Sequence, residues 1–428
     1  MHATCQGFEH RRGRRVAAAL AVLLAAAVVA GCTGNDDARS DDATTTTTTA
    51  EERTAEPERF DGSLEDFYRV PDPLPEGGPG TVIRTMPVEP PDEASDEAST
   101  DAPTDTSAQT SALRIMYVTT DAAGDDRAAT GVVHVPRAAA PEEGWPVVAW
   151  AHGTSGLASQ CAPSRSGGPP PDYGIEGVHV SPDYLGLGPE GELHPYLSSI
   201  GEGHAVIDSV AAVRSLPETH AGDEWVVVGV SQGGHAALVT NEMAADRLPD
   251  AELVGAAALA PGAELSTNYG DELQIRVITT MALVGAAAED DTIVLEEFLG
   301  PDALAASAAI ETGCVSDIID AMLPVAAADD YFIKEPRTDA VGKAWLERND
   351  PGKVVGAAPL LLVQGGADIL VLPARTAALR ERLCGIGQPV DMLEVPTADH
   401  DSVVEQSLTE VGAWLRARLD GEPAVDEC

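Results

Sequence analysis

The segment from residue 225 to residue 235 constrains the fold of this chain more than any other stretch. Its β-branched run at residues 226–228 predicts a buried strand, and the alanine-rich run at residues 235–245 predicts a helix. Between them stands Gly229-Val230-Ser231-Gln232-Gly233. This order of strand, G-x-S-x-G turn and helix is typical of a sharp turn that lifts a serine hydroxyl above the C-terminal edge of a sheet. Its two glycines are expected to let neighbouring backbones approach closer than a Cβ atom would permit.

Two candidate partners for Ser231 follow later in the chain, in the order acid and then histidine that such a turn requires. Asp368 and His400 each follow a short apolar run that predicts a strand. Loops that follow parallel strands gather at one edge of an open α/β sheet, so we expect the three side chains to meet there. Asp399 is the alternative acid. Adjacent side chains point in different directions, so Asp399 could hardly orient the His400 ring toward Ser231, and we favour Asp368.

These residue types support nucleophilic catalysis. A neutral imidazole can take the proton of a serine hydroxyl, and an aspartate fixes the tautomer of that imidazole. An oxyanion would then need backbone N–H donors. The N–H of Gln232 is one candidate because this residue follows the serine. The N–H of Thr154, in a loop after an early predicted strand, is the second, and those of Gly153 and Ser155 are its alternatives.

Further motifs stand in a consistent order along the chain beyond residue 60. They are Phe67-Tyr68, Pro79-Gly80-Thr81, His152-Gly153-Thr154-Ser155-Gly156, Asp183-Tyr184-Leu185-Gly186-Leu187-Gly188, Gly203-His204, Asn349-Asp350-Pro351-Gly352 and Gly365-Gly366-Ala367-Asp368. Together with the G-x-S-x-G turn, they resemble the bacterial and fungal secretory lipases of the lipase A type, in the α/β-hydrolase superfamily. The resemblance implies hydrolysis of carboxylic esters, often acylglycerols, beneath a helical lid. Val230 is a departure, because many relatives carry tyrosine there.

The N-terminal segment predicts export. Four arginines within residues 11–15 precede an apolar run at residues 16–30, which Gly31 and Cys32 follow. A basic region, a short apolar region and small residues at its end describe a signal peptide over residues 1–31. The apolar run is shorter than the roughly 20 residues that a membrane span needs. Cys32 resembles the lipidated cysteine of a lipoprotein, and ordinary cleavage near residue 30 is the alternative. We expect an extracytoplasmic protein, anchored to the outer face of the cell membrane or secreted.

Four further cysteines form an even set: Cys161, Cys314, Cys384 and Cys428. Four cysteines allow three connectivities, and their positions in the sequence do not choose among them. The family resemblance implies the pairs Cys161–Cys314 and Cys384–Cys428. An oxidising compartment would permit both disulfides.

The composition of the remaining chain distinguishes low-complexity segments from segments that can fold. Residues 32–59, which are rich in acids and threonine, predict a disordered tether, and residues 89–111 predict an acidic low-complexity loop. Apolar strands alternate with helical stretches over residues 145–260 and return over residues 360–419, within a predicted catalytic domain of residues 60–265 and 347–428. This alternation predicts a catalytic domain of the α/β class, an α/β-hydrolase fold with a mostly parallel sheet covered by helices on both faces. Residues 266–346 predict an inserted helical lid. Its apolar residues are interpreted as lid core, with an acyl tunnel as the alternative.

The charge of the chain and the motifs it lacks argue against several classes of binding partner. The chain has 26 basic and 70 acidic residues, a net charge of −44, which argues against a nucleic-acid partner because phosphate binding needs a basic patch. Solubility is the simple explanation of this acidity, and adaptation to high salt is the sharper one. No G-x-G-x-x-G follows a predicted strand at a helix start, no G-x-x-x-x-G-K-[ST] occurs, and the remaining histidines lack metal-ligand spacing, so we predict no cofactor and no metal. We expect a monomer that contacts a membrane through lipidated Cys32.

The sequence therefore predicts a serine hydrolase of lipase or esterase type that forms an acyl-enzyme on Ser231 and acts on a lipid or a small ester. A serine peptidase of the same superfamily and a non-catalytic surface-binding lipoprotein are the alternatives. Tyr184 is interpreted as part of a turn beside the pocket, with substrate contact as the alternative. His204 and His235 are interpreted as packing or hydrogen-bonding residues.

Overall fold

The structure is a computed structural model, and it describes residues 56–88, 110–189, 191–267 and 273–428. The predicted signal peptide, Cys32, nearly all of the predicted tether and most of the predicted acidic loop lie outside these residues. Among the described residues, none of the helices combines the length and the apolar content that a membrane-spanning helix needs.

Ten strands of the described residues form one sheet. In chain order they are β1 (Glu58–Arg59), β2 (Val82–Pro87), β3 (Thr110–Thr120), β4 (Asp126–Pro136), β5 (Trp145–Ala151), β6 (Val178–Pro182), β7 (Ala221–Val230), β8 (Glu252–Leu259), β9 (Leu360–Gly365) and β10 (Val390–Val395). Across the sheet they follow the order β1-β2-β3-β4-β6-β5-β7-β8-β9-β10. The six strands from β6 to β10 in this order pair in parallel, and β2, β3 and β4 form an antiparallel extension that joins β6. The mostly parallel sheet of the predicted fold class is confirmed.

The helices follow the strands in the alternation expected of an α/β fold. They are α1 (Leu64–Phe67), α2 (Ser199–Ser215), α3 (Gln232–Arg247), α4 (Leu273–Glu289), α5 (Leu295–Phe298), α6 (Pro301–Ser307), α7 (Val315–Met322), α8 (Ala340–Asn349), α9 (Pro373–Ile386) and α10 (Val403–Leu419). Apolar side chains of α2, α3 and α9 pack on one face of the sheet, and those of α10 pack on the other. Both faces are therefore buried, as parallel sheets require.

Strand β7 shows why the sequence forms this sheet. Val227 packs with the side chains of the α2 and α3 face, whereas Val226 and Val228 pack with those of the α10 face. All three are fully buried. A strand covered on both sides needs apolar side chains at every position, which explains a run of valines without polar alternation. This strand ends at Val230, directly before Ser231.

Helices α4 to α8 lie between β8 and β9 in the chain and contain an apolar cluster of their own. The apolar residues of the predicted lid, interpreted as core with an acyl tunnel as the alternative, are members of this cluster or pack against it: Met281, Leu283, Val284, Ile293, Leu295, Phe298, Leu299 and Leu304. None of them lines the cavity beside Ser231. They are therefore core of the helical segment. Helix α8 crosses the predicted lid boundary at residue 346, and the division of the chain into domains stays a prediction.

Candidate active site

The serine turn between β7 and α3 holds Ser231 in a strained conformation. Its φ of 59° and ψ of −116° lie in a region that residues with a side chain rarely adopt. Ser231 N–H donates to Leu259 O at 2.9 Å, which anchors the turn to the neighbouring strand β8. A Cβ atom on Gly233 would clash with the carbonyl of Ala151 on β5, and one on Gly229 would clash with the carbonyl of Gly233. The two glycines of the motif are thus required by close backbone approach, and the strained turn raises the serine above the sheet edge.

The structure brings Ser231, His400 and Asp368 together in one hydrogen-bonded line. Ser231 Oγ lies 3.0 Å from His400 Nε2, and His400 Nδ1 lies 2.8 Å from Asp368 Oδ2. The other carboxylate oxygen, Asp368 Oδ1, accepts the N–H groups of Leu370 and Val371, both at 2.8 Å. The Asp368 side chain is fully buried, whereas the His400 side chain is 17% exposed. This arrangement fixes the carboxylate and leaves the ring accessible from the cavity.

Asp399, the alternative acid, lies elsewhere. Its carboxylate accepts the N–H of Ser402 at 3.0 Å and the Ser402 hydroxyl at 2.5 Å, at the start of α10. These hydrogen bonds from Ser402 lower the pKa of Asp399, which is exposed to solvent. The acid that contacts His400 is therefore Asp368.

The two candidate oxyanion donors line the same cavity as Ser231. Gln232 is the first residue of α3, so its N–H is one of the amides at a helix start that lack an acceptor within the helix. Thr154 and Gly153 also line the cavity, and the Thr154 hydroxyl lies 2.8 Å from the Tyr196 hydroxyl. Ser155 does not line the cavity, and its carbonyl accepts the first amide of α7. The donor role of Gln232 and Thr154 stays a prediction.

The turn that contains Asp183 and Tyr184 supports the loop that carries Thr154. The buried Asp183 carboxylate accepts the Ser164 N–H at 3.0 Å and the Thr130 hydroxyl at 2.5 Å. The Tyr184 hydroxyl donates to the carbonyl of His152 at 2.7 Å, and the two rings stack with centroids 4.3 Å apart. Burial lowers the pKa of His152 to about 4, so this ring is neutral at pH 7. Tyr184 is fully buried, braces the loop and does not line the cavity beside Ser231.

A buried acid behind Ser231 was missed in the sequence. Glu202, on α2, accepts the N–H of Leu197 at 3.0 Å and the side-chain amide of Gln232 at 2.8 Å through Oε1. Its Oε2 accepts His235 Nδ1–H at 2.5 Å. The same Gln232 amide lies 2.7 Å from His194 Nε2. Four side chains, all buried, thereby connect α2 to the first turn of α3 beneath the nucleophile.

His235 carries a positive charge in this network. Its Nε2 lies 2.8 Å from the carbonyl of Asn349, which can only accept, and its Nδ1 faces the Glu202 carboxylate. Both ring nitrogens must therefore donate, which an imidazole can do only when it is protonated. Burial alone would lower the pKa of His235, but the Glu202 charge and hydrogen bond raise it above its ordinary value. Burial alone would raise the pKa of Glu202, but the charge and the hydrogen bond of His235 lower it, and the nearby His194 adds to this effect.

A weak signal for Glu202 exists in the sequence. It is an acid inside a segment whose neighbours are glycine, alanine and valine, and it stands two residues before His204 in a motif of the family resemblance. His204 itself lies 2.9 Å from the Thr120 hydroxyl, away from Ser231. The interpretation of His204 and His235 as hydrogen-bonding residues is in keeping with these contacts.

The cavity above Ser231 has a volume of about 540 Å³. Its wall is mostly apolar and combines loops at the sheet edge with side chains of α4, α7, α8 and α10: Leu197, Val230, Leu265, Ile275, Ile278, Ala282, Val315, Ile319, Leu346, Leu370, Val371 and Val404. Ser231 and His400 open into it, and Arg337, Arg375 and Asp401 also line it. Such a cavity can hold an apolar chain next to the reactive serine.

Two disulfides occur among the described residues. Cys161–Cys314 joins the region after β5 to the residue before α7, and Cys384–Cys428 joins α9 to the C-terminal segment. These are the pairs that the family resemblance implies. The first of them ties a wall of the cavity, α7, to the loop region of the catalytic sheet.

The sheet order, the helices on both faces and a serine turn at the carboxyl edge define an α/β hydrolase. The solved structure of Candida antarctica lipase A shares this fold with a TM-score of 0.67 at 17% identity, over 86% of this chain and 88% of that chain. The rice cell wall degrading esterase LipA from Xanthomonas oryzae shares it with a TM-score of 0.64 at 20% identity, over 81% of this chain and 100% of that chain.

Within this class, residues 175–427 match the secretory lipase family, and the chain belongs to that family. It is also 25% identical over 395 residues to a probable inactive lipase of Mycobacterium tuberculosis (strain CDC 1551 / Oshkosh). That alignment covers 85% of this chain and 84% of the relative. Family membership and the two disulfides indicate an extracytoplasmic protein.

Proposed function

We propose that this protein hydrolyses carboxylic esters as a serine hydrolase of lipase or esterase type, with acylglycerols as a candidate substrate class. The observation that carries the proposal is the hydrogen-bonded line Ser231 Oγ, His400 and Asp368, with distances of 3.0 Å and 2.8 Å. Each group stands in the position that the reaction needs: a nucleophile, a base within hydrogen-bond reach and an acid that orients the base.

In the proposed mechanism, Ser231 Oγ attacks the ester carbonyl while His400 Nε2 takes its proton. The negative charge that develops on the carbonyl oxygen is stabilised by the N–H groups of Gln232 and Thr154. Asp368 holds the Nδ1–H tautomer of His400 and stabilises the imidazolium. The imidazolium then protonates the departing alcohol and leaves an acyl-enzyme. Water activated by His400 cleaves this ester and regenerates Ser231.

The apolar wall of the cavity favours esters over peptides. Side chains of α4 and α7 face Ser231 across about 540 Å³ of space, and most of them are aliphatic. Burial of an acyl chain there stabilises the bound state by roughly 0.8 kcal/mol per methylene group. A lipid or a small apolar ester therefore fits this wall, and the family supports the same class of substrate.

Activity has to be tested directly because the Mycobacterium tuberculosis relative is described as a probable inactive lipase. The test is hydrolysis of p-nitrophenyl esters from acetate to palmitate, with labelling of Ser231 by a fluorophosphonate as a second readout. We expect turnover and labelling in the wild-type protein and neither in Ser231→Ala. Labelling without turnover of any ester would favour a peptidase. A folded protein that shows neither would favour a binding lipoprotein.

We further propose that a lipid on Cys32 anchors the enzyme to the outer face of the cell membrane and that the enzyme is a monomer. The sequence around Cys32 supports the anchor. The full-length chain, expressed in a bacterium that lipidates its own lipoproteins, should fractionate with membranes, and Cys32→Ser should release it. Equal partitioning of the two proteins would contradict the anchor without affecting the proposed ester hydrolysis.

A further inference from the structure

Arg337 is a charged residue in the wall of the apolar cavity. It lies on the loop between α7 and α8 and lines the same space as Ser231 and His400. Its side chain is only 4% exposed. A guanidinium stays protonated at every pH that a protein tolerates, so it cannot escape the cost of this environment by losing its charge.

The hydrogen bonds of Arg337 leave most of its donors unused. Its Nε donates to Glu335 Oε1 at 2.7 Å. Neither Nη1 nor Nη2 has a hydrogen-bond partner among the described residues. The Glu335 side chain is 33% exposed, so it shares its charge with solvent and contacts only one edge of the guanidinium. The pair of Nη groups, which forms the fork that binds a carboxylate in two parallel hydrogen bonds, is therefore unoccupied by protein.

The other buried arginines of the described residues use their Nη atoms, although Arg84 and Arg418 each keep a buried Nε without a hydrogen-bond partner. Arg84, Arg114 and Arg418 are each less than a tenth exposed, and each donates to a backbone carbonyl through a Nη atom. Arg375, which also lines the cavity, donates its Nη2 to the carbonyl of Glu264 at 3.2 Å. A buried polar group normally has a partner because leaving it unpaired is costly. Arg337 differs in that both of its Nη atoms lack a partner among the described residues, and it lines the cavity beside Ser231.

We propose that Arg337 binds an anionic group of the substrate, so that the enzyme prefers carboxylic esters that carry a second, negatively charged carboxylate. This inference rests on the proposed ester hydrolysis and specifies its substrate class. The apolar wall holds the aliphatic part of such an ester, and the Arg337 fork holds its carboxylate. Asp401 lies on the exposed rim of the cavity and would repel the same group, which directs the anion toward Arg337.

The test compares two ethyl esters of equal acyl length, monoethyl adipate and ethyl hexanoate, through the rate of ethanol release. The wild-type enzyme should have the higher kcat/KM for monoethyl adipate. In Arg337→Gln the ratio of the two kcat/KM values should fall about 10-fold to 100-fold, mainly through KM for monoethyl adipate, because a hydrogen bond to a charged group has about that effect. Arg375→Gln is the matched control and should lower the ratio by less than about 3-fold. Glu335→Gln should keep the preference.

A third ester locates the anion. 4-Butyryloxybenzoate carries the carboxylate on the alcohol side, and 4-butyryloxybenzamide is its neutral counterpart. A preference of the wild type for the benzoate over the benzamide that is lost in Arg337→Gln also supports the proposal, with the anion in the leaving group. A wild type that prefers the neutral ester of both pairs would overturn it. An Arg337→Gln variant that slows both members of each pair equally would overturn it too, since that result indicates a structural role.

Failure of ester hydrolysis can be separated from failure of this inference. Calorimetry measures the binding of monoethyl adipate to Ser231→Ala protein, which cannot turn it over. We expect binding that weakens about 10-fold to 100-fold when Arg337→Gln is added. Such binding would support the anion site even if no ester is hydrolysed by the wild type. The proposal would be overturned if Ser231→Ala and the double variant Ser231→Ala/Arg337→Gln bind monoethyl adipate with equal affinity, or if neither protein binds it.

Discussion

Replacement of Glu202 by glutamine tests whether the buried charge network behind the nucleophile stabilises the fold. Glu202→Gln keeps the size of the side chain and removes its charge. Its Oε1 can still accept the N–H of Leu197 and the amide of Gln232, which lie 3.0 Å and 2.8 Å from it. The new amide group, however, faces His235 Nδ1, which lies 2.5 Å from Oε2. His235 must then lose its proton or keep an unpaired buried charge.

The size of the effect follows from this geometry. Removal of one partner from a buried ion pair destabilises proteins by roughly 3–5 kcal/mol. Deprotonated His235 can accept from the new amide and still donate Nε2–H to the carbonyl of Asn349, so part of the network survives. We therefore expect the lower end of this range, about 3 kcal/mol lost from the free energy of unfolding near neutral pH.

The same pair predicts how stability depends on pH. The pKa of His235 is raised in the folded protein, so its contribution is complete below about pH 6.5 and is lost as the pH rises through its folded pKa. The pKa of Glu202 is lowered, so its contribution is complete above about pH 4.3 and is lost as the pH falls through its folded pKa. The difference between wild type and Glu202→Gln should be greatest between about pH 4.3 and about pH 6.5, and should shrink at alkaline pH.

Urea unfolding at a series of pH values, with both disulfides oxidised, measures this difference. Glu289→Gln is the matched control, because Glu289 accepts neutral donors, the Ser198 hydroxyl at 2.9 Å and Trp345 Nε1–H at 3.1 Å. Its substitution should cost about 1 kcal/mol. The reasoning is refuted if Glu202→Gln unfolds within 1 kcal/mol of the wild type at pH 6, or if the two stability profiles remain parallel from pH 5 to pH 9.

Three further predictions concern the site and its supports. Gly233→Ala should cost about 3 kcal/mol of stability or prevent folding, since the new Cβ meets a backbone carbonyl of β5; a normal urea midpoint would contradict the steric account. Asp368→Asn should lower kcat about 10⁴-fold on p-nitrophenyl butyrate, whereas Asp399→Asn should change it less than about 3-fold; the reverse ranking would identify Asp399 as the acid. Replacement of both Cys161 and Cys314 by serine should lower the free energy of unfolding in urea by about 5 kcal/mol, because the disulfide joins residues 153 positions apart and restricts the unfolded chain. A loss below about 1 kcal/mol would contradict this account, because it would show that the unfolded chain is equally restricted without the disulfide.

The elements that sequence analysis predicted well are those whose signal is local. The valine run of β7, the G-x-S-x-G turn and the apolar runs of β9 and β10 each follow from neighbouring residues. Burial on both faces selects unbroken apolar strands, and a close backbone approach selects glycine. The meeting of Ser231, Asp368 and His400 was predictable for a related reason, because loops after parallel strands share one edge of the sheet.

The charged groups inside the protein could not be predicted in this way. Glu202 and His235 are 33 residues apart, and nothing near either residue indicates that the other is its partner. Arg337 reads in the sequence as an ordinary loop residue with an acid two positions before it, which would place it in solvent. Only the packing of the helical segment over the sheet edge buries it in the wall of the cavity.

The sequence by itself therefore determined the sheet, the order of the serine, acid and histidine along it, and the family. The reason is that backbone geometry and strand burial restrict residue types at fixed local spacings. Only the tertiary structure decided that Asp368 rather than Asp399 contacts His400, that both ring nitrogens of His235 face acceptors, and that Arg337 lines the cavity beside Ser231. These properties depend on which distant groups come within about 3 Å of each other, and on whether water is excluded around them.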